Sequence, residues 1–156
     1  MRGNARIIAL VTTICALLLV LSFATVSNAG PRIQRIAVIE HATTDTVVDL
    51  TANGDSTGDL LTFHNDLFDA SNTEVVGSSH GDCVRIEVGV SWECRWINVL
   101  EDGSITVEGA FFDDSPSAFA ITGGTGVYRG ARGSMRLVAR DDLGSEFDFV
   151  FRVLVE

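Results

Sequence analysis

Beyond residue 30, apolar side chains recur in short runs with a period near two, and no long stretch repeats at helical spacing. Segments rich in Val, Ile, Phe and Thr at 33–41, 59–68, 104–112, 134–140 and 146–155 read as strands, with a short strand or strand end at 74–78 and a short apolar run at 119–122. Between them, 69–72, 101–103, 113–117 and 141–145 carry the Asp, Gly, Asn, Ser and Pro of turns. The polar stretch 43–57, with Asn53-Gly54-Asp55, reads as a loop. Two further β-rich runs, 84–88 and 92–99, flank Gly89 and predict a hairpin. A two-residue turn at Val88-Gly89 would set Glu87 opposite Val90, Arg85 opposite Trp92 and Cys83 opposite Cys94. Directly opposed residues of an antiparallel pair are close enough for a disulfide. About eight strands with short connections predict an all-β chain, an eight-stranded antiparallel β-barrel of lipocalin-like shape, because closure removes the edges of such a meander.

The strand faces are less easily oriented. Ile36, Val38 and Glu40 share one face of the first strand, and Phe147, Phe149 and Phe151 share one face of the last. In the hairpin, Cys83, Arg85, Glu87, Trp92, Cys94 and Trp96 lie on one face and Val84, Ile86, Val88 and Ile97 on the other. A barrel that binds something can be mixed inside and one that assembles can be apolar outside, so the pattern leaves the assignment of faces open.

The first residues follow a different rule. Arg2 and Arg6 precede an apolar run over 7–23, and Ser27-Asn28-Ala29 supplies the small residues of a cleavage site. We expect residues 1–29 to be a secretory signal peptide, residues 30–156 to be the barrel domain, and the product to be secreted to the extracellular space. A retained membrane anchor is the competing reading, but the apolar run is at the short limit for a span. No stable membrane anchor is expected after cleavage. The context of Cys15 inside that run, after Thr12-Thr13-Ile14, argues against a lipid-anchored cysteine.

Cleavage would leave Cys83 and Cys94 as an even pair in an oxidising compartment, which supports their bridging. It would also concentrate the charge. All 21 acidic residues and nine of the 11 arginines follow Ala29, so the formal charge passes from −10 to −12. Such a chain is repelled by nucleic acid and by anionic lipid, and we exclude nucleic acid as a partner.

Chemical motifs are few. Gly123-Gly124-Thr125-Gly126 has neither the Gly-Lys-Ser/Thr ending nor the following helix of a phosphate loop, so a tight turn with close backbone packing is expected. His41, His64 and His80 have no zinc-type spacing, and no metal or other cofactor is expected. No nucleophile-elbow motif is present. Asp45, Asp49, Asp55, Asp59, Asp113 and Asp114 read as solvated turn formers, without the ligand loop of a calcium site. Glu40 stands apart. If its face is the inner one, desolvation would raise its pKa and suit it to acid–base work; if it lies at the rim, it is an ordinary strand-end carboxylate.

Several longer stretches carry a resemblance. Gly58-Asp59-Leu60-Leu61-Thr62-Phe63-His64-Asn65-Asp66-Leu67-Phe68, Gly81-Asp82-Cys83-Val84-Arg85-Ile86-Glu87 and Ser104-Ile105-Thr106-Val107-Glu108-Gly109 are three of them. The most specific is Ala120-Ile121-Thr122-Gly123-Gly124-Thr125-Gly126-Val127-Tyr128-Arg129-Gly130-Ala131-Arg132-Gly133. Over 34–154 the sequence resembles the allene oxide cyclase-like barrel family, which is similar in fold to the dirigent proteins. The resemblance implies an eight-stranded barrel with an apolar cavity, often a homotrimer, acting without a cofactor. It implies Glu40 as the catalytic carboxylate and Cys83 as a cavity residue. The position at which plant cyclases carry a water-holding Asn is Ala42 here, and Cys94 has no counterpart in them. We expect Asn65, Cys83, Trp92 and Trp96 to line the cavity. Three functions remain open: a cofactor-free isomerase or intramolecular cyclase of a small apolar substrate, a non-catalytic carrier of a hydrophobic ligand, and a dirigent-like protein steering radical coupling.

Overall fold

Alternating side chains need two environments, and the chain provides them by curling its strands into a tube. The computed structural model describes residues 32–50 and 54–155. The signal-peptide expectation for 1–29, with Cys15, lies outside the described residues. Nine strands follow in order: β1 Arg32–His41, β2 Thr46–Val48, β3 Leu60–Phe68, β4 Val75–Glu87, β5 Ser91–Leu100, β6 Gly103–Phe112, β7 Ser117–Gly124, β8 Arg132–Ala139 and β9 Glu146–Val155. Neighbours from β3 to β9 pair antiparallel in sequence order. β1 pairs with β9 from Arg32↔Val155 to His41↔Glu146, and with β3 through Ile39↔Phe68, Glu40↔Leu67 and His41↔Asp66. β1 and β3 to β9 therefore form a closed eight-stranded barrel, as the pattern predicted.

The ninth strand corrects the reading of 43–57 as loop alone. β2 continues the line of β1 along β3, with Thr46 opposite Thr62. The pairing resumes one residue out of step, so Ala42–Asp45 bulge out of the ladder between β1 and β2. The segment 74–78, read as a short strand or strand end, is from Val75 onward the first part of β4, which continues to Glu87. Gly81 hid that continuity: a side chain there would run into Arg95 and Trp96 of β5, so glycine marks a close approach within the strand and not a break.

The cysteine hairpin keeps Cys83↔Cys94 and Arg85↔Trp92 in the expected register. At its tip the expectation fails. Glu87 pairs with Ser91, with an irregularity between Arg85 and Glu87, while Val90 N–H still donates to Glu87 O at 3.0 Å. Cys83 and Cys94 form a disulfide across the strands, with Cα atoms 4.0 Å apart.

The hairpin faces are now assigned. Cys83, Arg85, Trp92, Cys94 and Trp96 are buried in the barrel, and Val84, Ile86, Val88 and Ile97 are exposed outside it. Phe149 and Phe151 point inward with Leu67, Ile105, Val107, Phe119, Met135 and Val153, all of them almost fully buried. Trp96 is the centre of this packing, with Phe119 at 4.4 Å, Phe149 at 5.7 Å and Phe63 at 5.9 Å between ring centroids. Its indole N–H donates to Asn98, whose amide donates to the Ile105 carbonyl, so the polar atoms of this core are satisfied. The tight turn expected at Gly123-Gly124-Thr125-Gly126 begins at Thr125, since Gly123 and Gly124 end β7, and it runs to the start of β8 at Arg132. It contains a short 3₁₀ segment at Gly126–Tyr128, and Gly126 and Gly130 take the positive φ values that glycine tolerates.

Candidate active site

One half of the barrel is filled by the aromatic core. Toward the end that carries the turns at 88–90, 113–116 and 140–145, a cavity of about 50 Å³ remains. Its wall is made by Leu61, Phe63, Cys83, Cys94, Trp96, Phe111, Leu137 and Phe149, and its polar residues are Glu40 and Asp45. That volume holds a few water-sized groups. A substrate of ten or more heavy atoms requires the wall side chains to move.

Strand alternation carries Glu40 inside. It follows Ile36 and Val38 on the inner face of β1, lies opposite Leu67 and Phe147, and is only 5 % exposed. The Ser79 hydroxyl, fully buried on β4, donates to Glu40 Oε1. Desolvation pushes the carboxyl up from its ordinary 4.5 to about 7, and the negative charge of Asp45 adds to the rise. Hydrogen bonds from Ser79 and Asn65 pull the other way without cancelling the burial. Glu40 thus titrates near neutral pH, and about half of it is protonated at pH 7.

Asn65 is the hub of the polar corner. It is 1 % exposed and faces inward from β3, opposite Ser79. Its Oδ1 accepts from Thr43 N–H at 3.1 Å, Thr44 N–H at 3.0 Å and the Thr44 hydroxyl at 3.0 Å. Three donors on one oxygen fix the amide orientation, because a flip would set N–H against N–H. The Asn65 Nδ2 group therefore faces the acids and donates to Asp45 Oδ1 at 2.7 Å. One side chain holds the 42–45 bulge, and that bulge turns Asp45 into the cavity.

A second polar layer lies toward the mouth. Arg85, two residues along β4 from Cys83, donates through Nε to Asp55 at 2.7 Å and through Nη1 to both oxygens of Asp113 at 2.9 and 2.7 Å. Its guanidinium lies 4.0 Å above the Trp92 ring. Asp59, fully buried, accepts from the Leu50 and Ser56 amides and the Ser56 hydroxyl, which holds the preceding loop against the barrel.

The structure places Glu40, Cys83 and Trp96 in the cavity lining, whereas Asn65, expected there, stands behind it and reaches it through Asp45. Trp92 stands outside the cavity wall, in the mouth layer beneath Arg85, because the strand that points it inward also places it at the barrel end. The Cys83 sulfur is bonded to Cys94 and offers no thiol. Four aspartates expected to be solvated turn formers take other roles: Asp45 enters the cavity, Asp59 is buried, and Asp55 and Asp113 hold Arg85. Sequence reasoning missed Ser79, because the strand was ended at Ser78, and Asp45, because a bulge leaves no periodic trace. Among the described residues no group of three or more His, Cys, Asp or Glu side chains is placed to hold a metal ion.

Solved structures of the same fold include a pyocyanin demethylase, with a TM-score of 0.65 and 20% identity over 76% of this chain and 100% of that one. A pterocarpan synthase dirigent protein gives a TM-score of 0.67 at 16% identity, over 80% of this chain and 89% of that one. An exo-specific intermolecular Diels-Alderase gives 0.62 at 18% identity, over 79% of this chain and 98% of that one. At these identities the likeness is one of fold. The sequence family described as allene oxide cyclase matches residues 32–140, from the first residue of β1 to just past the end of β8. The match takes in the strand that carries Glu40 and every other strand of the cavity wall except β9, and the chain belongs to the allene oxide cyclase family.

Proposed function

We propose that this barrel is a cofactor-free isomerase that rearranges or closes a small apolar molecule inside its cavity, with Glu40 as the general acid. The observation that carries the reading is a carboxyl group, raised to about 7, facing a chamber whose other lining residues, Asp45 excepted, are apolar or disulfide-bonded. An acid of that strength can protonate a carbonyl or epoxide oxygen near neutral pH and take the proton back afterwards. The wall of Trp96, Phe63, Phe111 and Phe149 would hold a flexible substrate in one reactive shape, which lowers the entropic part of the barrier. The family name describes a cyclase, and one protein of the same fold is a Diels-Alderase; both support ring closure by confinement. The substrate class that fits is a neutral, largely apolar molecule with one reactive oxygen. The enzyme would work outside the cell after loss of residues 1–29.

Native mass spectrometry with tandem identification of the bound molecule tests this. Wild type and Glu40→Gln are recovered from the same culture medium, and the ligand of each is compared. The proposal expects isomers: the unreacted compound on Glu40→Gln and a rearranged one of equal mass with wild type. The same unrearranged compound on both would make the protein a carrier and end the enzymatic reading.

A further inference from the structure

Two carboxyl groups face the cavity, and they differ in setting. Glu40 is buried beneath the wall with Ser79 on one oxygen, and Asp45 is exposed overall but turned into the cavity by the bulge. The Asn65 amide, fixed by the three donors on its oxygen, stands between them with its N–H bonds directed at the acids. Glu40 and Asp45 are the titratable groups of the lining, since Cys83 and Cys94 are joined. The nearest cation toward the mouth, Arg85, is held by Asp55 and Asp113 and does not neutralise either acid by contact. We infer that Asp45 is a second catalytic residue, the general base that works with Glu40 as an acid–base pair on the carbon skeleton of the substrate. The inference rests on the reading of Glu40 as general acid and extends it from ring closure to proton transfer at carbon.

The chemistry follows from the two settings. A ketone with an acidic allylic C–H would lose that proton to the Asp45 carboxylate. The C–H electron pair becomes the new C=C bond, and the carbonyl π pair takes the proton of Glu40. The product of this half is a neutral dienol, with Asp45 protonated and Glu40 ionised. Asp45 then returns its proton at the far carbon of the diene, the double bond shifts, and the hydroxyl proton goes back to Glu40. Both acids end as they began, no electron is gained or lost, and the net change is a double-bond shift. Water enters no step, which suits a cavity of about 50 Å³.

Cyclopent-3-enone, which has only six heavy atoms, is the probe. Its conversion to cyclopent-2-enone is followed in deuterium oxide by ultraviolet absorbance and by deuterium content. Wild type is expected to catalyse the shift. Asp45→Asn, which keeps an acceptor for the Asn65 amide, is expected to lose on the order of 10²-fold or more in kcat. Its thermal midpoint and Trp fluorescence should match wild type, which separates loss of the base from loss of the fold. Glu40→Gln is expected to lose the shift while retaining slow Asp45-dependent exchange at the carbon next to the carbonyl. Turnover lost in Glu40→Gln but kept in Asp45→Asn would overturn the role of Asp45 alone. Turnover equal in wild type and in the Glu40→Gln/Asp45→Asn double variant would overturn the Glu40 reading beneath it.

Discussion

At the scale of single residues, the site depends on a carboxyl group that folding prefers neutral. In an unfolded chain Glu40 titrates near its ordinary 4.5, and in the barrel near 7. Below both values the two states bind the same proton and the group costs nothing. Between them the unfolded state loses its proton first, so stability falls as pH rises, by about 3 kcal/mol in all once both values are passed. Glu40→Gln removes the dependence. The variant should therefore gain on wild type by up to about 3 kcal/mol between pH 4 and pH 8 in urea unfolding, and equal pH slopes would contradict the burial. Of the residues in this corner, Glu40 was legible because it follows Ile36 and Val38 at strand spacing. Asn65 was legible through its motif. Asp45 was not, since its placement comes from one extra residue in a ladder and from an amide twenty positions away on β3. Ser79 was hidden by the glycine at 81, which reads as a break and acts as a contact.

At the scale of elements, the β4–β5 hairpin does two jobs. Its inner face builds much of the wall through Cys83, Cys94 and Trp96, and its tip carries Arg85 and Trp92 across the mouth. The expected register of Cys83 and Cys94 holds because the irregularity between Arg85 and Glu87 offsets the one residue by which the turn at 88–90 exceeds the expected Val88-Gly89. The tip itself could not be read from the sequence, because a shift between Arg85 and Glu87 costs little locally and shows only in the pairing of Glu87 with Ser91. The disulfide closes a loop with a sequence separation of 11. A cross-link of that span is worth about 3 kcal/mol through the unfolded chain. Cys83→Ala/Cys94→Ala should lower the unfolding free energy by about that amount, read from urea titration, and a midpoint unchanged from the oxidised wild type would show that the bond does not constrain the unfolded chain.

At the scale of the molecule, closure of the sheet decides the chemistry. A strand that paired on one side alone would leave Glu40 near water, and its carboxyl would be ordinary. Pairing of β1 with both β9 and β3 seals the wall, and the packing around Trp96 fills one half and leaves the other hollow. The barrel was legible in the sequence as a succession of short alternating strands whose edges closure removes, and the family resemblance implied the same closed form. Which faces point inward was not, because the outer face carries Val84, Ile86, Val88 and Ile97 while the inner one carries an arginine and two tryptophans. Arg85 is accommodated on that inner face because it meets two acids and an aromatic ring there. The central claim is a proton held on Glu40 near neutral pH, and the direct measurement is a ¹³C NMR titration of its side-chain carboxyl in the folded protein. The account predicts a midpoint near 7 that falls when Asp45 is replaced by Asn. A midpoint near 4.5 would show that water reaches Glu40, and would contradict the account.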